Sequence, residues 1–291
     1  MREANAVAGG GDPGAPAGGH PIRRSVLAYD RAGAGEPLVL LHGLGSARRS
    51  WDPVLPSLVG ERDMIAVDLP GHGDSPPDRI RPGHSPGDLA DSLAELLDDL
   101  GLGTVHLGGN SLGGWVALEL AKKGRAHTVT VFSPAGLWKR SAPAYIRASL
   151  RQSRVNARVI RRLAPGAPRT RLARALFFAQ VSAHPTRVPY GPGRLAVHDM
   201  ATTAGFRQTL RGLENGHFQG GAEIHVPVTV IFGVGDQVLG PRSARRREQL
   251  PAHTRWFDLT GSGHMPMLDD PPAVTGLLLE GSGSDRFHLP G

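Results

Sequence analysis

Leu107-Gly108-Gly109-Asn110-Ser111-Leu112-Gly113-Gly114 is the stretch that decides how this chain is read. It joins an apolar, strand-like run, Val105–Leu107, to a stretch of helical character, Leu112–Lys123, with G-x-S-x-G at the junction. A serine held in so sharp a turn projects its hydroxyl out of the backbone, and glycines at 109 and 113 leave room for the close approach this requires. The helix that follows puts the Leu112 N–H at its N-terminus, aimed at developing negative charge. The bland alternative is a glycine-rich turn carrying an incidental serine. The strand on one side and the helix on the other argue against it.

Outward from this turn, short apolar runs alternate with helical patterns, as in a parallel sheet with crossover helices. The predicted strands are Val26–Tyr29, Leu38–Leu41, Met64–Val67, Val105–Leu107, Val129–Phe132, Val228–Phe232 and Trp256–Leu259. The central ones are continuous apolar runs, as strands buried on both faces are. Ser85–Leu100 and Pro241–Leu250 read as further helices, the first entered through a Ser/Pro cap. The alternation breaks once, for about ninety residues between Phe132 and Val228, where only helical periodicity is found. We read this as an inserted lid. Ile146, Leu150, Ser153, Ala157 and Ile160 form an inward stripe; Arg147, Arg151, Arg154, Arg158 and Arg161 form a parallel basic stripe, expected on the outer face.

Composition narrows the chemistry. With no cysteine among the 291 residues, a thiol nucleophile, a disulfide and a thiolate metal site are all excluded. The net charge of +7 is uneven: residues 139–198 carry 13 Lys or Arg and no acid, leaving 20 basic against 26 acidic residues elsewhere. The basicity therefore belongs to the lid, from which we expect a weak attraction to anionic surfaces. Nucleic acid is not expected, since nothing resembles a reading helix or a stacking platform. No phosphate-binding lysine motif, no G-x-G-x-x-G after a first strand and no H-E-x-x-H occurs, so no cofactor or metal is expected. The first 20 residues hold no apolar run that reads as a signal peptide or membrane span, which makes the cytoplasm the default.

Thirteen histidines compete for the place of general base. His264 sits in Gly261-Ser262-Gly263-His264-Met265-Pro266, a flexible loop after the last predicted strand, where a side chain swings over the C-terminal edge of the sheet. His106 lies inside a strand, and His42 and His72 belong to turns. A carboxylate, Asp236, ends the run Val226–Gly235 in a glycine-containing turn; the plain alternative for it is a turn-forming Asp.

Four motifs in this order resemble those of the α/β-hydrolase superfamily, over about Tyr29 to Leu279. Leu40-Leu41-His42-Gly43-Leu44 is similar to its oxyanion loop, which implies Leu44 and Leu112 as the two backbone donors. Asp68-Leu69-Pro70-Gly71-His72-Gly73-Asp74-Ser75 is similar to its structural D-x-P-G-x-G-x-S turn. The elbow at Ser111 follows. Gly263, His264, Pro266 and Pro271 match its G-H-x-P-x-x-x-x-P pattern, and Asp236 stands where the family keeps its acid. The resemblance implies a mostly parallel sheet flanked by helices, with core at 22–137 and 222–280, lid at 138–221 and flexible tails at 1–21 and 281–291. It further implies a triad of Ser111, Asp236 and His264. His42, Gly43, Asn110, Trp115, Leu137, Trp138 and Met265 are expected near a small-molecule substrate. The expected activity is hydrolysis of a carboxylic ester with a hydrophobic acyl group. The alternatives are cleavage of a carbon–carbon bond in a vinylogous diketone, suggested by the G-N-S-x-G-G elbow, and a non-catalytic small-molecule receptor on the same fold.

Overall fold

Successive residues of a strand point to opposite faces of its sheet, so a run such as Pro37–Leu41 needs cover on both sides to bury its side chains. The computed structural model, which describes residues 3–4, 25–78, 84–164, 166–240 and 244–283, supplies that cover. Eight strands form one sheet in the order β1-β2-β4-β3-β5-β6-β7-β8. They are β1 (Glu3–Ala4), β2 (Tyr29–Gly33), β3 (Pro37–Leu41), β4 (Asp63–Val67), β5 (Val105–Asn110), β6 (Ala126–Phe132), β7 (Val228–Gly233) and β8 (Arg255–Leu259). β2 runs antiparallel to both neighbours, and the other pairs are parallel.

The helices are α1 (Leu55–Leu58), α2 (Pro86–Asp99), α3 (Leu112–Lys122), α4 (Ala144–Leu163), α5 (Arg171–Phe178), α6 (Tyr190–Thr202), α7 (Phe206–Glu214), α8 (Pro266–Asp269) and α9 (Pro271–Gly281). Val39 and Leu41 of β3 pack with leucines of α2 and α3 on one face. Leu38 and Leu40 pack with Trp51, α1 and α9 on the other. α2 begins at a reciprocal cap in which the Ser85 hydroxyl accepts the Asp88 N–H and the Asp88 carboxylate accepts the Ser85 N–H.

Between β6 and β7 the chain leaves the sheet for α4 to α7. Ile146 and Ala157 of α4 are buried, with Leu150, Ser153 and Ile160 half-buried beside them. Among the ties that bind the insertion to the core, the Arg49 guanidinium pairs with Asp199 of α6, and the Gly205 N–H donates to the Gly71 carbonyl of the D-x-P-G turn. The Asp68 carboxylate that opens this turn accepts from the Arg48 and Asp74 N–H groups, a structural use.

Four expectations need correction. The first long strand begins at Tyr29 instead of ending there, because its register follows β4, with Tyr29 opposite Val67 and Gly33 opposite Asp63. Within the expected tail 1–21, Glu3–Ala4 pairs with Asp30 and Arg31 as the sheet's edge; the rest of 1–21 and residues 284–291 lie outside the described residues. No α-helix spans Pro241–Leu250: 241–243 lie outside the described residues, and only a 3₁₀ turn, Arg247–Gln249, follows. The basic stripe is not uniformly outward. At about 100° per residue it runs along the flank of α4, so that Arg151, Arg158 and Arg161 are exposed while Arg147 and Arg154 turn inward and are half-buried.

Candidate active site

Ser111 occupies φ 55°, ψ −114° between β5 and α3, a conformation a non-glycine residue adopts only when its surroundings impose it, at a cost of about 1–3 kcal/mol. Those surroundings are specific. The Ser111 N–H donates to the Phe132 carbonyl at 3.0 Å, and the Ser111 carbonyl accepts from Ala135 and Trp115. A Cβ at Gly113 would lie 2.2 Å from the Leu41 carbonyl oxygen, so α3 rests directly on the end of β3. Leu112 is the first residue of α3, and its N–H is one of the donors a helix cannot satisfy internally. Gly43 passes just above: a Cβ there would be 3.3 Å from Ser111 Cβ, which brings the Leu44 segment beside the serine.

His264 Nδ1 donates to Asp236 Oδ2 at 3.0 Å, and both groups are nearly enclosed. The other carboxylate oxygen, Oδ1, accepts the Val238 and Leu239 N–H groups, each at 2.8 Å. Burial alone would push the Asp236 carboxyl up; the His264 charge, its hydrogen bond and the Leu239 N–H outweigh that and hold it below the ordinary carboxylate range. The Ser133 hydroxyl also favours the charge, although it is not aligned as a full hydrogen bond. An anionic carboxylate fixed in this way sets the histidine tautomer with the proton on Nδ1 and leaves Nε2 as the acceptor.

Ser111 and His264 line one cavity between the sheet edge and the helical insertion. Its walls are mostly apolar, with Trp138, Ile146, Leu150, Phe177, Phe178, Leu210 and Leu213 among them. Of the residues expected at the substrate, Gly43, Leu44, Asn110, Trp138 and Met265 line this cavity. Three do not. Trp115 lies one helical turn beyond Ser111, where it packs edge-on against Trp138 and donates its indole N–H to Glu119. Leu137 is fully buried in the core. The ring of His42 is enclosed beneath the loop, its Nδ1 donating to the Gly43 carbonyl at 2.8 Å and its Nε2 accepting the Leu69 N–H. Asn110 touches the cavity, but its amide donates to the Phe132 and His264 carbonyls and so joins the elbow to the histidine loop.

Two residues to which the sequence reading gave no part in the site complete the arrangement. Asp269, at the end of α8, accepts the Gly263, Ala183 and His184 N–H groups and the Ser182 hydroxyl. Together with the bond from the Met265 N–H to the Val181 carbonyl, it fastens the histidine loop to the insertion. A carboxylate inside the G-H-x-P-x-x-x-x-P spacing was the available signal. The second residue, Arg147, expected on the outer face, is among the described residues the only side chain with a permanent charge on the cavity wall.

Among the described residues no group of three His, Asp or Glu side chains is placed to hold a metal ion. No helix among them is long and apolar enough to cross a membrane.

The sequence profile of the alpha/beta hydrolase family matches residues 38–276. Over 206 residues the chain is 34% identical to a Mycobacterium tuberculosis protein named epoxide hydrolase EphH, covering 65% of this chain and 91% of that one. Among solved structures, a thermophilic esterase from Thermogutta terrifontis superposes with a TM-score of 0.66 at 24% identity, covering 87% of this chain and 92% of its own. A 2-hydroxy-6-oxo-6-phenylhexa-2,4-dienoate hydrolase from Rhodococcus sp. strain RHA1 superposes with a TM-score of 0.69 at 21% identity, covering 88% and 94%. At these identities the two structures speak for the fold.

Proposed function

The chain belongs to the alpha/beta hydrolase family, and on that premise we propose that it is a serine hydrolase that cleaves carboxylic esters or related acyl bonds of small, largely apolar substrates through an acyl-enzyme. The observation that carries this reading is the pairing of a strained Ser111 with a His264 whose Nδ1 is held by a buried, anionic Asp236, both opening onto one cavity.

The steps follow from the groups present. His264 Nε2 takes the Ser111 proton as Oγ attacks the acyl carbon, and the Leu44 and Leu112 N–H groups receive the oxyanion. Asp236 stabilises the imidazolium without itself becoming protonated. The proton passes to the leaving alcohol, and water, activated by the same histidine, releases the acid and restores Ser111.

The relative named an epoxide hydrolase raises a second substrate class, and the chemistry of Ser111 weighs against it. Attack of a serine oxygen on an epoxide carbon would leave an alkyl ether, with no carbonyl through which water could regenerate the enzyme. No tyrosine lines the cavity to protonate an epoxide oxygen, among the described residues. For carbon–carbon cleavage, the Asn110 amide that suggested it donates to two backbone carbonyls.

The test is fluorophosphonate labelling of wild type and Ser111→Ala, followed by rates on aryl esters, an epoxide and a vinylogous diketone. Labelling of the wild type alone, with esters turned over fastest, is expected. An unlabelled wild type would leave the receptor reading, and faster diketone or epoxide turnover would replace the ester.

A further inference from the structure

Arg147 stands in the first half of α4 with its side chain half-buried on the wall of the cavity that holds Ser111 and His264. The other described wall residues are apolar, small or neutral polar apart from His264, and no carboxylate is among them. The Arg147 Nε is buried without a hydrogen-bond partner. Arg174 and Arg245 also leave an Nε unmet, but their terminal nitrogens are anchored, Arg174 on the Pro168 and Arg169 carbonyls and Arg245 on Asp258. Among the described residues the Arg147 side chain meets no acceptor. Its own segment provides none, since residues 139–198 contain no acid.

A guanidinium N–H buried away from water is ordinarily paired, because removing a charged donor from water without an acceptor is costly. A planar fork of donors fits a carboxylate in two parallel hydrogen bonds, which a lysine would not reproduce. We propose that Arg147 receives a carboxylate carried by the substrate, so that the enzyme acts on esters whose acyl part ends in an anionic group, such as half-esters of dicarboxylic acids. Leu150 follows Arg147 by three residues and lines the cavity together with Leu210 and Leu213, apolar cover for the chain that would join the carboxylate to the scissile carbonyl. The inference rests on the serine-hydrolase reading and narrows its substrate class.

The experiment compares kcat/KM for aryl half-esters of dicarboxylic acids of increasing length with that for the matching alkanoate aryl esters, in wild type, Arg147→Gln and Arg147→Lys. At one chain length at least, wild type should prefer the carboxylate-bearing ester by about 10- to 100-fold, mostly through KM. In Arg147→Gln that ratio should collapse towards one, with partial recovery in Arg147→Lys. Fluorophosphonate labelling of each variant reports whether Ser111 is still activated, and so separates a damaged triad from a lost anion site. Calorimetric titration with the free dicarboxylates tests the site without turnover, with binding expected to wild type and not to Arg147→Gln. No preference in wild type at any length, a preference that survives Arg147→Gln in a labelled enzyme, or equal dicarboxylate binding by both would overturn the proposal.

Discussion

The floor and the roof of the cavity are built differently. The floor comes from the C-terminal ends of β5 and β7 and the loops that follow β3 and β8, where Ser111, Asp236 and His264 are held by strained backbone and buried hydrogen bonds. The roof is made by α4 to α7, long side chains on amphipathic helices, with a run of 60 residues that has no acid to neutralise its arginines. Backbone constraint leaves a signature in glycine and turn spacing; a roof of rotatable side chains does not. One region is thus suited to fixed chemistry and the other to selecting what reaches it.

The comparison breaks most visibly if the floor turns out to tolerate substitution. Ser111→Ala and His264→Ala are each expected to lower kcat by about 10⁴-fold or more while leaving the melting temperature near that of wild type, and the double variant should add little, since these groups act as a unit. Asp236→Asn should cost about 10³- to 10⁴-fold in kcat through the wrong histidine tautomer. Asp258→Asn is the control: Asp258 is exposed and paired with Arg245, so its loss should leave turnover within a few-fold of wild type. Turnover that survived Asp236→Asn and fell with Asp258→Asn would reassign the acid.

Next in size is an effect of pH on folding that belongs to the floor. His42 and His72 are fully buried with ring centroids 5.2 Å apart. Burial is the main cause that holds His42 down to about 4, with Arg48 and Arg49 adding to it against the Gly43 carbonyl. Burial, then the neighbouring His42, pushes His72 down to about 3. Both folded values lie below the ordinary 6.5, so the unfolded chain binds more protons between 6.5 and those values. Stability is therefore full above 6.5 and is lost as pH falls towards 4. For His42 alone the shift corresponds to about 3 kcal/mol. Urea midpoints measured from pH 7.5 to pH 4.5 should decline across this window, and His72→Asn should flatten the slope by up to about one proton. A flat profile down to pH 5 would mean that the turns beneath the Gly43–Leu44 loop are open to solvent.

Much of the floor was legible in the sequence because each catalytic candidate stands at a strand end in a glycine-bearing turn. What escaped had no such punctuation. Asp269 looks like an ordinary surface acid of a short helix until its four acceptor contacts are seen. Trp115 is close to Ser111 in sequence, but four residues along a helix carry a side chain a full turn away from the elbow. Tyr29–Gly33 gave a weak strand signal because its register is set by the partner strand β4 and not by its own pattern. In the roof, helical periodicity located α4 and its inward stripe, whereas the inward turn of Arg147 and Arg154 depends on where α6 and α7 pack. Arg154 donates to the Met200 and Thr203 carbonyls and lies over the Phe206 ring, and burial, then Arg158 and Arg207, lowers it to about 10.

Asp269 tests the joint between the two regions. Removing its charge by Asp269→Asn leaves the Gly263, Ala183 and His184 donors with a weaker acceptor and loosens the histidine loop. Displacement of a positioned group by about an ångström costs up to about 10²-fold. The expected signature is a fall in kcat and in the fluorophosphonate labelling rate with KM little changed. A fall in melting temperature with unaltered labelling would make Asp269 a structural clasp only.

The smallest expected effect concerns the outer surface of the roof. Val155, Val159 and Leu163 lie along the crest of α4 and are 53%, 50% and 75% exposed; Leu172 and Leu176 of α5 are 71% and 74% exposed. Arg158, Arg161 and Arg162 are exposed on α4 beside this crest, with no acid in the same segment. Apolar side chains bordered by arginines suit a bilayer that presents anionic headgroups, and each arginine near such a surface contributes about 1 kcal/mol, or roughly fivefold in partitioning. Arg158 is the residue to change, because Arg151 is paired with Glu214 and Arg154 holds two backbone carbonyls that its loss would strand, whereas Arg158 makes a single long bond of 3.4 Å to the Ala201 carbonyl. We expect wild type to sediment with phosphatidylglycerol-containing vesicles and not with phosphatidylcholine vesicles at low salt, Arg158→Gln to bind about fivefold more weakly, and the difference to shrink as salt shortens the reach of the charge. Leu172→Ser with Leu176→Ser should weaken binding at every salt concentration, since its contribution is burial and not charge. Equal sedimentation with both vesicle types, or binding that ignores Arg158→Gln, would reduce the arginines to a solvated flank and leave Arg147 as the one basic residue of the stripe with a ligand to receive.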